Sequence, residues 1–360
     1  QMAALAQPGN VGLLEFPYAP RRGDAMSHRP LLFLICFLLL AAKSPVAPTV
    51  DMDEMVLFDG VQFEMGWPES NVGPYGDAWY VDQQPARTIT LTSYALDKTE
   101  VTVSAFALFL SYAGGEMYFH DRQPIERVRH GYLPITGRDN EPVRNVTWAA
   151  ARDYCRWAGK RLPSEAEWAY AARGPTSRVF PWAEGGPNCQ RSNYFTGASH
   201  CVGAPVDVGS YPDGSSPEGI LDLTGNVAEW TFDDYAAYDP ITTTDPIAQN
   251  DGGIKVVRGG GWMDPPQALR GHSRRATRHN VISSNIGFRC AWSEGSTLEA
   301  TRGDLVAPED LEREPAPLPA APPALAPITL LDGLTAPKGL ARMGGSWMVA
   351  DTGMGIIWRV

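Results

Sequence analysis

The sequence predicts an α+β domain, low in regular secondary structure, over roughly residues 55–292. Three observations lead there. Thirty-six glycines and 31 prolines among 360 residues specify far more turns than a helical bundle needs. Eleven tryptophans supply large aromatics for a core. Helix signals are confined to two or three places, whereas short apolar runs bounded by turn residues recur throughout.

The elements follow in order. Val56 to Gly66, VLFDGVQFEMG, reads as a β-hairpin, because two apolar-alternating runs flank Asp59-Gly60, a pair that tolerates positive φ at both turn positions. Arg87–Leu91 is a second strand signal. Thr102 caps a helix with Phe106, Phe109 and Leu110 on one face. Thr147 caps another, which runs through Trp157 and stops at Gly159. Ser164-Glu165-Ala166-Glu167 is a capping box opening a third short helix through Ala172. From 173 to 292, Gly, Pro, Asn and Asp punctuate short apolar pieces.

The flanks differ in kind. Residues 1–25 have no periodic pattern and read as non-native or disordered; Met26 reads as the start. A basic flank and the twelve-residue apolar run Leu31–Ala42 make 26–48 a signal peptide or N-terminal anchor, since a membrane span needs about 20 apolar residues. This points to an extracytoplasmic protein, periplasmic or secreted, with membrane contact only through that anchor. Cys155, Cys189, Cys201 and Cys290 are then an even set that favours two disulfides. Three pairings exist, and the short 189–201 separation suggests one bridge, leaving 155 with 290. Residues 293–327 form a Pro-rich linker.

A net charge of −11 speaks against a nucleic-acid partner for the whole chain. The five arginines of RGGGWMDPPQALRGHSRRATR, 258–278, are thus a local feature. Its glycine run lacks the Lys-Ser/Thr of a phosphate loop. Asp264, His272 and His279 have the composition of a facial iron triad, but their spacing fits no motif.

Five pieces in order resemble the sulfatase-modifying-factor, or formylglycine-generating enzyme, family: FEMG at 63–66; KTEVT at 98–102; PVRNVTWAAARDYCRWAGKRLPSEAEWAYAARG at 142–174; GILDLTGNVAEW at 219–230; and VVRGGGWM with IGFRCA at 256–263 and 286–291. The resemblance implies the family's α+β fold, distantly related to C-type lectins. It also implies a disulfide between Cys155 and Cys290. In family members that oxidise a sulfatase cysteine, two cysteines after the Gly-rich segment bind copper(I), for which soft thiolates are suited. Those positions here are Asp264 and Leu269, so copper is not expected. A second family disulfide maps to Ala172 and about Arg274, and both halves are missing.

The resemblance further implies structural Ca²⁺, with Asp222 and Glu229 as side-chain ligands and carbonyls from Gly225 and Val227. The competing reading makes Asp222 a backbone cap and pairs Glu229 with Arg161 or Arg289. A second family calcium site would use Asn193 and the Tyr194 carbonyl. Residues 328–360 resemble one incomplete NHL-type β-propeller repeat, around Pro337-x-Gly339-Leu340-Ala341 and Val349–Gly353.

The expected function is an exported module without formylglycine-generating activity. Its ligand cleft would contain Trp262, Arg270, Arg274, Arg275 and Arg278, suited to a peptide, a protein or an anionic small molecule. The alternative is an oxidoreductase of the same superfamily acting through an unrecognised metal site.

Overall fold

The computed structural model describes residues 50–68, 81–112, 117–129, 131–182, 184–241, 243–250, 252–294, 340–343, 346–351 and 356–359. Residues 1–25, the expected signal or anchor, and all but the first two residues of the linker lie outside them. Two strands, β1 (Met55–Phe58) and β2 (Val61–Met65), do flank Asp59-Gly60, but they do not form a hairpin. Instead β2 pairs with β3 (Arg87–Leu91) and β1 with β4 (Tyr94–Asp97). One register runs through both ladders, with Phe58 opposite Tyr94 and Val61 opposite Leu91. Asp59-Gly60 is therefore a kink in one long ribbon, with Gly60 at φ +52° and Ser93 Oγ donating to Asp59 Oδ1 at 2.9 Å. The reason is burial: the partner strand brings Ile89, Leu91, Tyr94 and Leu96, all buried, to cover Phe58, Phe63 and Met65.

Helix α1 (Val103–Tyr112) starts at Thr102, whose Oγ1 accepts from Ala105 N. Its Phe106, Phe109 and Leu110 are buried as expected. A hairpin, β5 (Ile125–Val128) and β6 (Gly131–Pro134), packs on it. Helix α2 (Trp148–Trp157) is capped by Thr147 and ends before Gly159, at φ +71°. Helix α3 (Glu165–Arg173) has the complete capping box.

Four further strands, β7 (Ala228–Asp234), β8 (Ile254–Arg258), β9 (Arg275–Arg278) and β10 (Ile286–Gly287), form a sheet in the order β10-β7-β8-β9. The last strand of the domain, β11 (Ala291–Trp292), returns to β4. One core cluster joins α1, α2 and the β7 sheet through Phe106, Tyr154, Trp230 and Phe288; the other seats Trp168 and Tyr170 of α3 against the ribbon. Both disulfides, Cys155–Cys290 and Cys189–Cys201, are formed. The α+β class stands: the sheets are small and long loops connect them.

In the segment likened to an NHL repeat, β12 (Leu340–Met343), β13 (Ser346–Asp351) and β14 (Ile356–Arg359) pair antiparallel in sequence order. The rest of that segment lies outside the described residues.

Candidate functional site

The glycine run leaves β8 and turns sharply. Gly259 has φ +86°, and a Cβ there would stand 2.9 Å from Leu223 O; one on Gly261 would stand 2.3 Å from Asn285 Oδ1. Only glycine admits this approach. The turn delivers Trp262 half-buried, its Nε1 donating to Ser284 O at 3.0 Å. Its ring lies 5.3 Å from the exposed His200, which in turn lies 4.9 Å from Phe195. The hairpin closed by Cys189–Cys201 thus extends an aromatic ledge beside Trp262.

Beneath that ledge Asp264 is fully buried and fully engaged. Its carboxylate accepts from Gly261 N at 2.8 Å, Asn285 Nδ2 at 2.6 Å and Arg275 Nη1 at 3.2 Å. Leu269, also fully buried, packs with Phe180, Trp182 and Tyr194. At the two positions where the family resemblance leads one to expect copper cysteines, one side chain is a hard carboxylate fixed by protein donors and the other offers no donor atom. This set does not fit copper(I). Nor are Asp264, His272 and His279 brought together: no group of three His, Cys, Asp or Glu suited to a metal occurs among the described residues.

The arginines expected to share one cleft go to different places. Arg270 is buried, with Nη1 donating to Gln83 Oε1 at 3.1 Å and Nη2 to Ser273 Oγ at 3.3 Å. Arg274 is buried too, in a bidentate pair with Glu165 at 2.8 and 2.6 Å and against the Tyr235 and Tyr238 rings. Although burial opposes its charge, Glu165 raises the Arg274 pKa further. Arg275 stays by the ledge; besides its contact with Asp264, its Nε and Nη2 are buried without partners. Arg278 is exposed at the far end of β9, opposite Ile254.

At the first expected calcium turn the acids already have protein partners. Glu229 forms a bidentate pair with Arg289 at 2.8 Å and accepts from Trp168 Nε1 at 2.8 Å. Asp222, at φ +55°, accepts from Gly209 N at 2.5 Å. This is the cap-and-ion-pair arrangement that the sequence left open beside calcium. Gly225 donates to Gly259 O at 3.3 Å, and Val227 is buried in the same turn. Burial and the neighbouring Asp222 push Glu100 well above the usual carboxylate range. At the second expected site Asn193 donates to Ala204 O, yet its Oδ1 is fully buried without a donor. The adjacent Tyr194 carbonyl accepts from Cys201 N at 2.9 Å.

Sequence reasoning passed over Glu165, Asp233 and Arg87. Glu165 reads as the first residue of a capped helix, yet it is also 3.2 Å from Arg258 Nε and accepts from the Tyr238 hydroxyl. Asp233 accepts from Glu165 N at 2.7 Å and Ala248 N at 2.9 Å. Burial, then Glu165, pushes its carboxyl up to about 7. No local pattern marks Glu165 or Arg87 as part of a site, and for Asp233 the one signal is the pair of acids that ends an apolar strand, Phe232-Asp233-Asp234.

A family model described as a sulfatase-modifying factor enzyme 1-like domain matches residues 41–294. The chain is 31% identical over 304 residues to a formylglycine-generating enzyme of Streptomyces coelicolor, covering 70% of this chain and 93% of that protein. It is 30% identical over 288 residues to the inactive C-alpha-formylglycine-generating enzyme 2 of Bos taurus, covering 67% and 88%. It is also 34% identical to the serine/threonine-protein kinase pkn1 of Chlamydia pneumoniae over 70% of this chain, but spans only 40% of that kinase. Among solved structures, PvdO from Pseudomonas aeruginosa is similar, with a TM-score of 0.53 and 25% identity over 66% of this chain and 93% of that one. A family match over residues 41–294, together with these relatives, means that the chain belongs to the sulfatase-modifying factor enzyme 1-like family.

Proposed function

We propose that this domain is an exported ligand-binding module that does not oxidise cysteine to formylglycine. The observation that carries this reading is the pair Asp264 and Leu269: a carboxylate held by three donors and a leucine in an apolar cluster, at the positions where the family's copper cysteines map. Similarity of about the same degree to an active enzyme and to an inactive one leaves the decision to these residues. The ledge of Trp262, His200 and Phe195 offers aromatic area, and Arg275, partly buried beside it, brings a positive charge suited to an anionic group of a peptide, protein or small molecule. Two disulfides support an oxidising, extracytoplasmic location. Among the described residues no helix is long and apolar enough to cross a membrane.

The test is oxygen uptake by the full chain with a cysteine-containing sulfatase peptide, alongside metal analysis. No copper-dependent turnover is expected, whereas stoichiometric copper or iron with turnover would restore the oxidoreductase reading. A structural Ca²⁺ belongs to this reading at Asn193 and Tyr194, where a buried oxygen lacks a donor. Calcium returned to chelated protein is expected to raise the unfolding temperature in wild type but not in Asn193→Ala. An equal rise in both would remove calcium from that position.

A further inference from the structure

A cavity of about 270 Å³ is lined by Arg87, Glu165, Asp233, Tyr238, Asp239 and Arg274 among others. Trp262, Asp264 and Leu269 are not among its lining residues. Its two arginines are in different states. Arg274 has all three nitrogens engaged: Nε and Nη2 by Glu165, and Nη1 by the carbonyls of Asp82 and Ala236. Arg87 uses only Nη1, which donates to the Asp239 carbonyl. Its Nε is buried with no partner, and its guanidinium lies 4.6 Å over the Tyr238 ring. Nη2 of this stacked guanidinium has no protein partner and is not buried, so it is a charged donor suited to a carboxylate oxygen.

The other lining residues narrow the ligand. Glu165, Asp233 and Asp239 would repel a dianion, while Met65, Ala166, Ala237 and Ile247 present apolar surface. We propose that this cavity binds a short aliphatic carboxylate, its charged end on Nη2 of Arg87 and its tail against Met65, Ala166 and Ala237, with Asp233 coupling affinity to pH. Asp233 is faced by Glu165 of α3 and by Arg274 ahead of β9, and Arg87 and Asp239 line the same cavity. Its carboxyl, raised to about 7 by burial and Glu165, is neutral in mild acid, where a free aliphatic acid is still ionised. Above neutrality Asp233 is an anion and opposes the ligand. Binding therefore tightens as pH falls from about 8 to about 6.

The inference stands apart from the proposed function, since oxidase turnover would leave it untouched. The experiment is calorimetric titration of the full chain with sodium butyrate, and with butylammonium chloride as a probe of opposite charge. Saturable butyrate binding is expected, tighter at the lower pH, with none for butylammonium. Arg87→Gln should weaken it by about tenfold or more, because it removes a charged donor. Ala237→Phe keeps Arg87 and fills the cavity, so it should abolish binding at an unchanged unfolding temperature. Asp233→Asn should remove the pH dependence. Absent butyrate binding, binding unchanged in Arg87→Gln or Ala237→Phe, or a wild-type affinity independent of pH would overturn the proposal.

Discussion

Asp264 and His272 lie in the same Gly- and Arg-rich stretch and are both buried, but their polar atoms are satisfied differently. Every polar side-chain atom of Asp264 is met, by Gly261 N, Asn285 Nδ2 and Arg275 Nη1. His272 is 4% exposed, edge-on to Trp67 at 4.9 Å, and its Nδ1 has no partner. Burial, then Arg173, Arg270 and Arg258, holds its imidazole well below the usual 6.5. The unfolded chain therefore takes up a proton below that pH that the folded chain refuses. Stability tied to His272 is fully present above 6.5 and is lost as pH falls below it, by about 1.4 kcal/mol per pH unit. Urea unfolding between about pH 7.5 and 5 is expected to show this loss in wild type and a shallower one in His272→Gln. Parallel profiles would mean that His272 is not held neutral.

At the scale of elements, features set by a few adjacent residues form as the sequence implies. Thr102, Thr147 and Ser164 each cap a helix, since a cap needs only a side-chain oxygen within reach of backbone N–H groups three residues on. Replacing Ser164 by Ala is expected to cost about 1 kcal/mol in chemical denaturation. A much larger loss would show that the start of α3 also carries the ion pairs of Glu165, which hold Arg274 and approach Arg258. The Asp59-Gly60 hairpin failed for the complementary reason. Positive φ at Gly60 was readable, but the partner of each flanking run lies about thirty residues on, and the local pattern does not name it.

Across the whole molecule, Cys155–Cys290 ties α2 to the approach of β11, at a separation of 135 residues. Because it closes most of the domain, Cys155→Ser with Cys290→Ser is expected to lose about 4 to 5 kcal/mol in the chain-entropy model, read as a lower denaturant midpoint. A loss below about 1 kcal/mol would show that the reduced chain is already held compact. The residues alone establish the α+β class, the helix caps and the identities of Asp264 and Leu269, and the separation of 12 between Cys189 and Cys201 marks one disulfide. All of these rest on residue identity, or on contacts a few positions apart. Long-range packing turns Arg274 inward to Glu165 while Arg275 stays by the ledge, although the two are adjacent. It also decided that Glu229 pairs with Arg289 and that Arg87 meets Asp233 at one cavity. Successive residues leaving a turn point to opposite sides, and which side is buried depends on segments far away in the chain.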